Sequence, residues 1–383
     1  MNARIVALTL TGLFTFSSFG AAAGAPKGEP LLIGAILSTT GAFAPLGEPE
    51  RNALLIAEQR INAGGGIAGR PLKIEIVDDE GKPDVAAQLA TSLVGEHAIA
   101  IIGGTLTAPT SAILRVTQAA GIPQIFMNPS AEIWDTKNGV AKNLFETTPR
   151  NETEGAALLD FAKAKLHTKK LAILHDENAY GAAGSVVLAN EAQKRGIDVV
   201  ANEDYPTTAT DVTAQLLKVR DGGADTVAIW GASTACPLIV RQIRQLGLKV
   251  NIFGTTGLLS DNFLRVAGKD GDGVYSDSDI NFTYPSPAQR AFLEAYRAAY
   301  HARPANFGAF AWDAAFILAG AVRDAHGKTD GPALIDALER MKPYVGATAT
   351  IRFTPTDHNG IGIGDVHIAV DRNAVWFTLL RST

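Results

Sequence analysis

The sequence predicts an α/β protein of two lobes, each built on a mostly parallel sheet. Three observations lead there. Short apolar runs alternate with amphipathic stretches of helical length, the pattern of βαβ units. That alternation runs once through residues 31–127 and starts again at 171. The chain, at 383 residues, is too long for one typical hydrophobic core.

Taken in order, residues 31–37 (Leu-Leu-Ile-Gly-Ala-Ile-Leu) read as a strand buried on both faces. A polar, glycine-containing loop over 38–48 leads to a helix with Ala53, Leu54, Ala57 and Ile61 on one face. It stops at Gly64-Gly65-Gly66, where positive φ is cheap. Residues 72–77 alternate as a strand, and Pro83-Asp84 opens a helix carrying Ala86, Leu89, Ala90 and Leu93. A strand over 99–102, a helix over about 109–120 and a strand over 123–127 follow.

The second round has a strand over 171–174, a helix over about 183–195 ending at Gly196, and a strand beginning over 199–201. Asp211 is placed to cap a helix that carries Val212, Leu216 and Val219. A strand over 226–230, a helix through 238–246 and a strand over 250–253 complete it. After Gly273 the order changes. Residues 289–300, 309–325 and 332–341 are helical in pattern; 351–353, 366–370 and 375–380 read as strands, with Asp371-Arg372-Asn373 as a hairpin turn. This tail is expected to be shared between the lobes, so that the chain crosses between them more than once and makes a hinge. The expected division is 28–147 plus 277–350 for one lobe and 148–276 plus 351–383 for the other.

The first 25 residues have the order of a cleavable secretory signal: a short start with Arg4, an apolar stretch over 5–19, and small residues with A-x-A spacing at Ala21, Ala23 and Ala25. The apolar stretch is short for a membrane span, and no Cys follows it to carry a lipid. A periplasmic location is expected. The single cysteine, Cys236, excludes an intramolecular disulfide and thiolate metal clusters. A net charge of −5 without a basic run argues against nucleic acid as a partner.

The parts of an enzyme are missing from the sequence. G-x-S-x-G does not occur; Gly231-Ala232-Ser233-Thr234-Ala235 lacks its second glycine. H-E-x-x-H and a Walker sequence are also absent. His175, at a strand end, is the one candidate base, and a merely hydrogen-bonded role is favoured for it. Asp78-Asp79-Glu80 reads as solvated acids at a helix entry, since neighbours on a strand point to opposite faces. No catalysis, cofactor or metal is expected.

Residues 31–79 run I-G-A-x-x-x-x-x-G-x-x-x-x-x-G, then a helix, then I-N-A-G-G-G-I-x-G-R-P-L-x-I-x-x-x-D-D. Further pieces are Ile102-Gly103-Gly104, Ala120-Gly121-Ile122-Pro123, Ile173-Leu174-His175-Asp176 with Tyr180-Gly181, and Thr210-Asp211. In these the chain resembles the branched-chain amino acid-type periplasmic solute-binding proteins of ABC importers, over essentially all of 28–380. The resemblance implies a type I periplasmic binding protein: two Rossmann-like parallel-sheet lobes joined by a multi-strand hinge. It implies a small organic ligand (a carboxylate, aromatic acid, amide or amino acid) held in the inter-lobe cleft. It also implies an ABC transporter permease in the inner membrane as partner. A monomer is expected. The alternatives are branched-chain amino acid binding proper and a sensory receptor that signals to a membrane partner.

The resemblance also implies the site. Thr107 matches a hydroxyl on the ligand carboxylate, in a loop that leads into a helix start, where backbone N–H groups attract anions. Ser130 and Ala131 match the second carboxylate-binding loop. Glu132 stands where the family has Thr or Ser, and its charge would repel a ligand carboxylate unless protonated, turned away or paired. Nearby Trp134 is a feature of members that bind aromatic acids. Tyr180 matches the aromatic that closes over the ligand from the second lobe. Leu46 and Ser233 replace common aromatics, and Thr256 replaces the acid that pairs with a ligand ammonium. A plain α-amino acid would then need another anion, Glu132 or an acid such as Asp277 or Asp279, because a buried ammonium without one is costly.

Overall fold

The structure, a computed structural model, describes residues 25–130, 133 and 141–379. The expected signal segment falls almost wholly outside these residues, as do Ala131, Glu132 and Trp134.

The first sheet holds β1 (Leu31–Leu37), β2 (Leu72–Asp78), β3 (Ala100–Gly103), β4 (Gln124–Phe126) and β5 (Leu144–Glu146), in the order β2-β1-β3-β4-β5. Every pairing in it is parallel. Helices α1 (Ala44–Ala63), α2 (Pro83–Gly95) and α3 (Thr107–Ala120) follow the first three strands. Covered on both faces, β3 and β4 are buried at every residue, which explains their unbroken apolar character.

Helix α1 starts at Ala44, several residues before its apolar face begins, because Ala44-Pro45 suits a first turn. Its start lies against the end of β1. A Cβ at Gly47 would sit 2.1 Å from the Ser38 carbonyl oxygen, so only glycine fits there.

The second lobe is built on α4 (Asn151–Phe161), β6 (Lys170–Asp176), α5 (Ala179–Lys194), β7 (Asp198–Tyr205), α6 (Thr213–Asp221), β8 (Thr226–Trp230), α7 (Cys236–Gln245), β9 (Asn251–Gly254), α8 (Asp261–Ala267) and β10 (Tyr275–Ser278). The chain then returns to the first lobe. There α9 (Pro287–Tyr300) and α10 (Asn306–Asp324) pack on α1, with α10 as its main partner, and α11 (Gly331–Glu339) packs on α10. A two-stranded ribbon of β11 (Tyr344–Val345) and β12 (Thr350–Ile351) ends this excursion. Asp313 on α10 fastens the ribbon by accepting from Ala347 N (2.8 Å), Thr348 N (2.9 Å), Thr348 Oγ1 (2.7 Å) and the Tyr344 hydroxyl (3.2 Å).

Finally β13 (His367–Asp371) and β14 (Trp376–Thr378) complete the second sheet as an antiparallel edge, in the order β14-β13-β10-β9-β8-β6-β7. The chain therefore crosses between the sheets three times. The first and last crossings are laced together: Glu146 N donates to His358 O (3.0 Å), and Asn359 Nδ2 donates to Glu146 Oε2 (2.8 Å).

Several sequence-level expectations need correction. Strands β5 and β10 and helices α4 and α8 were not foreseen, and both expected lobe boundaries near 277 and 350 fall inside strands. Strand β10 pairs through Ser278 with the second sheet, so the return lies beyond it. Asp211 is not the N-cap of α6; that is Val212, and Asp211 instead accepts from Thr213 N (2.8 Å) and Oγ1 (2.6 Å). Asp79 is not solvated. It is fully buried under the start of α1, accepting from Ser38 Oγ (2.7 Å) and Gly81 N (2.8 Å), while Asp78 on the opposite side takes Thr39 N and Thr40 Oγ1.

Candidate ligand-binding cleft

In open parallel sheets, ligands bind beyond the carboxyl ends of the strands. Those ends carry the residues singled out above. On the first lobe, Thr107 opens α3 just after β3, as its first helical residue; the cap position is Leu106. Its hydroxyl donates to Asn128 Oδ1 (3.3 Å). Asn128 is the hub of this rim, since its Nδ2 donates to Gly104 O (2.9 Å) and Thr110 Oγ1 (2.9 Å). Gln124 extends the network by donating to Gly103 O (2.7 Å). Ser130 follows two residues after Asn128 and is buried, accepting from Ile133 N at 3.4 Å. Leu46, at the start of α1, is packed into the apolar core.

Behind this rim runs a chain of polar groups. Ser38 N donates to Thr105 Oγ1 (3.0 Å), and Thr105 Oγ1 donates to Glu50 Oε2 (2.5 Å). Burial pushes the Glu50 carboxyl well above its ordinary range and raises Asp79 as well.

The facing rim belongs to β6, β8, β9 and β10. Tyr180 is the second residue of α5, whose first turn is fixed by Asn178 accepting from Gly181 N (2.9 Å). Its ring lies 6.1 Å from that of Trp230, and it is 9% exposed. Ser233 is committed locally: its hydroxyl donates to Asp176 Oδ1 (2.6 Å), while Ala232 N donates to Oδ2 (2.9 Å). This clamps the loop after β8 onto the end of β6. Thr256 Oγ1 accepts from Nδ2 of Asn306 (2.7 Å), the first residue of α10, and so ties this rim to the first lobe. His175 is half-buried, with Nδ1 3.0 Å from the Asp176 carbonyl oxygen.

Of the acids on this rim, the sequence pointed to Asp277 and Asp279 but not to Glu154. Glu154, in the first turn of α4, and Asp277, near the end of β10, are fully buried, and no hydrogen bond of standard geometry reaches any of their four carboxyl oxygens. Asp279, next in line, has one partnered oxygen, which accepts from Asn306 Nδ2 (3.1 Å), and one bare oxygen. Burial pushes Asp277 up to about 7, against the Thr256 amide that faces it. Burial, followed by the charges of Asp277, Asp279 and Glu146, holds Glu154 well above the carboxyl range. A signal for Glu154 existed: Asn151-x-x-Glu154 before the apolar Leu158-Leu159 is a helix-start pattern.

Helix α3 of the first lobe touches α5 of the second. Thr107, Ser130, Tyr180, Ser233 and Thr256, all beside strand ends at a rim, are all buried. Two sheets facing each other rim to rim, joined by three crossings, define a two-lobed solute-binding protein of the type I arrangement.

The comparisons with known proteins agree. Residues 30–369 match the family described as periplasmic binding protein, and the chain belongs to that family, in its branched-chain amino acid-type branch. A Leu/Ile/Val-binding protein homolog of Brucella melitensis is 24% identical over 85% of this chain and 88% of its own length. A leucine-, isoleucine-, valine-, threonine- and alanine-binding protein of Pseudomonas aeruginosa is 24% identical over 82% of this chain and 83% of its own. Among solved structures, a type 1 periplasmic binding protein of Bordetella pertussis is similar with a TM-score of 0.83 and 27% identity, over 92% of this chain and 100% of that one. The substrate-binding protein of a branched-chain amino acid transporter from Streptococcus pneumoniae, solved with isoleucine, gives 0.81 and 26%, over 92% and 99%. No helix among the described residues is long and apolar enough to cross a membrane.

Proposed function

We propose that this chain is an exported receptor that captures a small carboxylate- or amide-bearing organic solute between its lobes and delivers it to an ABC importer, without transforming it. The observation that carries this reading is the burial of Thr107 and Ser130 on one rim together with Tyr180 and Thr256 on the other. In this reading Thr107, Ser130, Ala131 and the N-terminus of α3 take the anionic end of the solute. Tyr180 closes over it from the second lobe, with Leu46, Glu132, Ser233 and Thr256 around it. A solute that touches both rims binds the closed arrangement better than the open one, and so shifts the population toward closure. The closed outline is what a permease would recognise.

Export would follow cleavage of a signal over about the first 25 residues. The mature N-terminus, sequenced from the periplasmic fraction, tests that step. The binding step is tested by a thermal-shift screen of amino acids, aromatic acids, amides and ureas. At a concentration of about 100 Kd, a true ligand adds roughly 2.7 kcal/mol of stability. One chemical class standing clear of the others is expected, and a flat response across all of them would refute the reading.

A further inference from the structure

We propose that the groove between α4 and β13, on the face of the second sheet that α4 covers in part, is a binding site for a small amphiphilic anion: an apolar body carrying one anionic head. The inference is independent of what the inter-lobe cleft holds.

The groove follows from residue spacing. Alternate side chains of a strand share a face, so Val366, Ile368, Val370 and Arg372 fall on one side of β13 and its flanks. Register sets Ile368 beside Asp277 and Val370 beside Tyr275. Leu379 runs on from β14 beside Ile368, donating its N–H to the Ile368 carbonyl (2.8 Å). This is the side on which α4 packs, with the Phe161 and Tyr275 rings 4.9 Å apart. The opposite side, with Ala369 and Trp376, belongs to the core against Phe263 of α8. Ile368 is only half-buried, so α4 does not close over β13. Instead Ala162–Leu166 continue α4 as a π-helical turn, a device frequent at functional sites. Between that turn and β13 lies a cavity of about 600 Å³, walled by Phe161, Leu166, Tyr275, Val366, Ile368 and Leu379. Ile363, 48% exposed, stands at its edge.

Its charge is one-sided. Asp160, Lys165 and Arg372 are the charged residues of the lining. Asp160 is taken by Arg195 at 2.7 Å. Lys165 and Arg372 are exposed, and among the described residues neither makes a side-chain hydrogen bond or an ion pair. The two cations also share one end of the groove. Helix α4 begins at the rim with Glu154 and runs away from it, which puts Lys165 at the far end. Strand β13 is antiparallel to β10 and also runs away from the rim, which puts Arg372 at the same far end. The walls between there and Ile363 are apolar. A cavity of this size suits a small organic molecule. Burial of an apolar body supplies affinity, and a guanidinium beside an ammonium selects a carboxylate or sulfate head. A cationic amphiphile would meet like charges, and a bare anion would leave the apolar walls unfilled.

The experiment titrates decanoate and decyl sulfate calorimetrically, below micelle-forming concentrations, against decyltrimethylammonium and acetate. The proteins are the wild type, the Lys165→Gln/Arg372→Gln double variant and Ala164→Phe, which puts a ring into the groove from an exposed position of the π turn. Melting temperatures of the free proteins confirm folding. At least one anionic amphiphile is expected to bind the wild type saturably and about tenfold tighter than the cationic one, with no heat from acetate. The double variant should weaken that binding about fivefold or more, and Ala164→Phe about tenfold. Equal affinity for the cationic probe, or no binding of either anion, overturns the inference. Affinity unchanged in either variant also overturns it, because the probe then sits elsewhere, the inter-lobe cleft included. Cosedimentation with phosphatidylglycerol vesicles, without binding of either free anion, would assign the groove to a membrane surface and overturn it as well.

Discussion

The two rims of the cleft solve the problem of burying polar groups in opposite ways. On the first rim, Asn128 gathers Thr107, Thr110 and the Gly104 carbonyl into one hydrogen-bonded network of neutral groups. Even the acids behind it, Glu50 and Asp79, each have a partner for one oxygen. On the second rim, Glu154 and Asp277 set two fully buried carboxyls against each other, with the Thr256 amide facing Asp277. A satisfied network rigidifies its surroundings. Two buried carboxyls in contact hold together only while at least one of them is neutral. The difference makes the first rim indifferent to pH and the second sensitive to it.

The comparison can be broken most severely at Gly184. A side chain there collides with the fully buried Trp230 ring and forces apart the helices that carry Glu154 and Tyr180. Gly184→Ala is expected to cost about 3 kcal/mol in urea unfolding, the upper range for overpacking. A cost near zero would mean that the indole moves freely and does not fix the rim.

Acidity gives the next largest effect. A carboxyl whose folded pKa is raised binds more protons folded than unfolded, so stability is greatest at low pH and falls as pH climbs toward the raised value. For Asp277 that window runs from about 4, the ordinary value, to about 7. Asp313 and Asp371, pushed by burial up to about 6, act in the same direction lower down. The clearest interval is therefore above about pH 6. There the melting temperature of the unliganded wild type should decline with pH, and the Glu154→Gln/Asp277→Asn double variant should decline less. Equal slopes would show that the pair is not buried in solution.

The neutral rim should behave differently. Asn128→Ala strips a hub from buried acceptors and donors and is expected to cost about 1–3 kcal/mol, by the same amount at pH 6 and pH 8. Denaturant midpoints at the two pH values check this. Thr107→Val is milder. It removes one 3.3 Å hydrogen bond and should lower stability by about 1 kcal/mol or less. Its larger consequence should be on solute affinity, read by calorimetry, if the hydroxyl meets the solute.

The alternation of apolar strands and amphipathic helices was legible because both sheets are covered on both faces, which leaves runs such as Thr226–Trp230 almost uninterrupted. The unforeseen strand β10 shows the limit. Tyr275-Ser276-Asp277-Ser278 is polar, yet three of its four residues are fully buried, because the strand reaches the rim and hinge, where polar groups have work to do. Helix α4 was hidden for a related reason: its first turn, Asn151-Glu152-Thr153-Glu154, looks like a solvated loop. The rim residues that follow apolar strands, Thr107, Tyr180, Ser233 and Thr256, were within reach of the sequence. What it did not disclose is that Ser233 spends its hydroxyl on Asp176 and Thr256 accepts from Asn306. Such pairings join residues far apart in the chain and appear only once the sheet and helices are assembled.

The direct test of closure around a guest is solution scattering on one sample, before and after saturation with the solute that gives the strongest thermal shift, repeated with Tyr180→Ala. The account predicts a smaller radius of gyration with solute in the wild type and a weaker or absent contraction at the same concentration in the variant. Full calorimetric binding with an unchanged envelope, or contraction untouched by the loss of Tyr180, would contradict it.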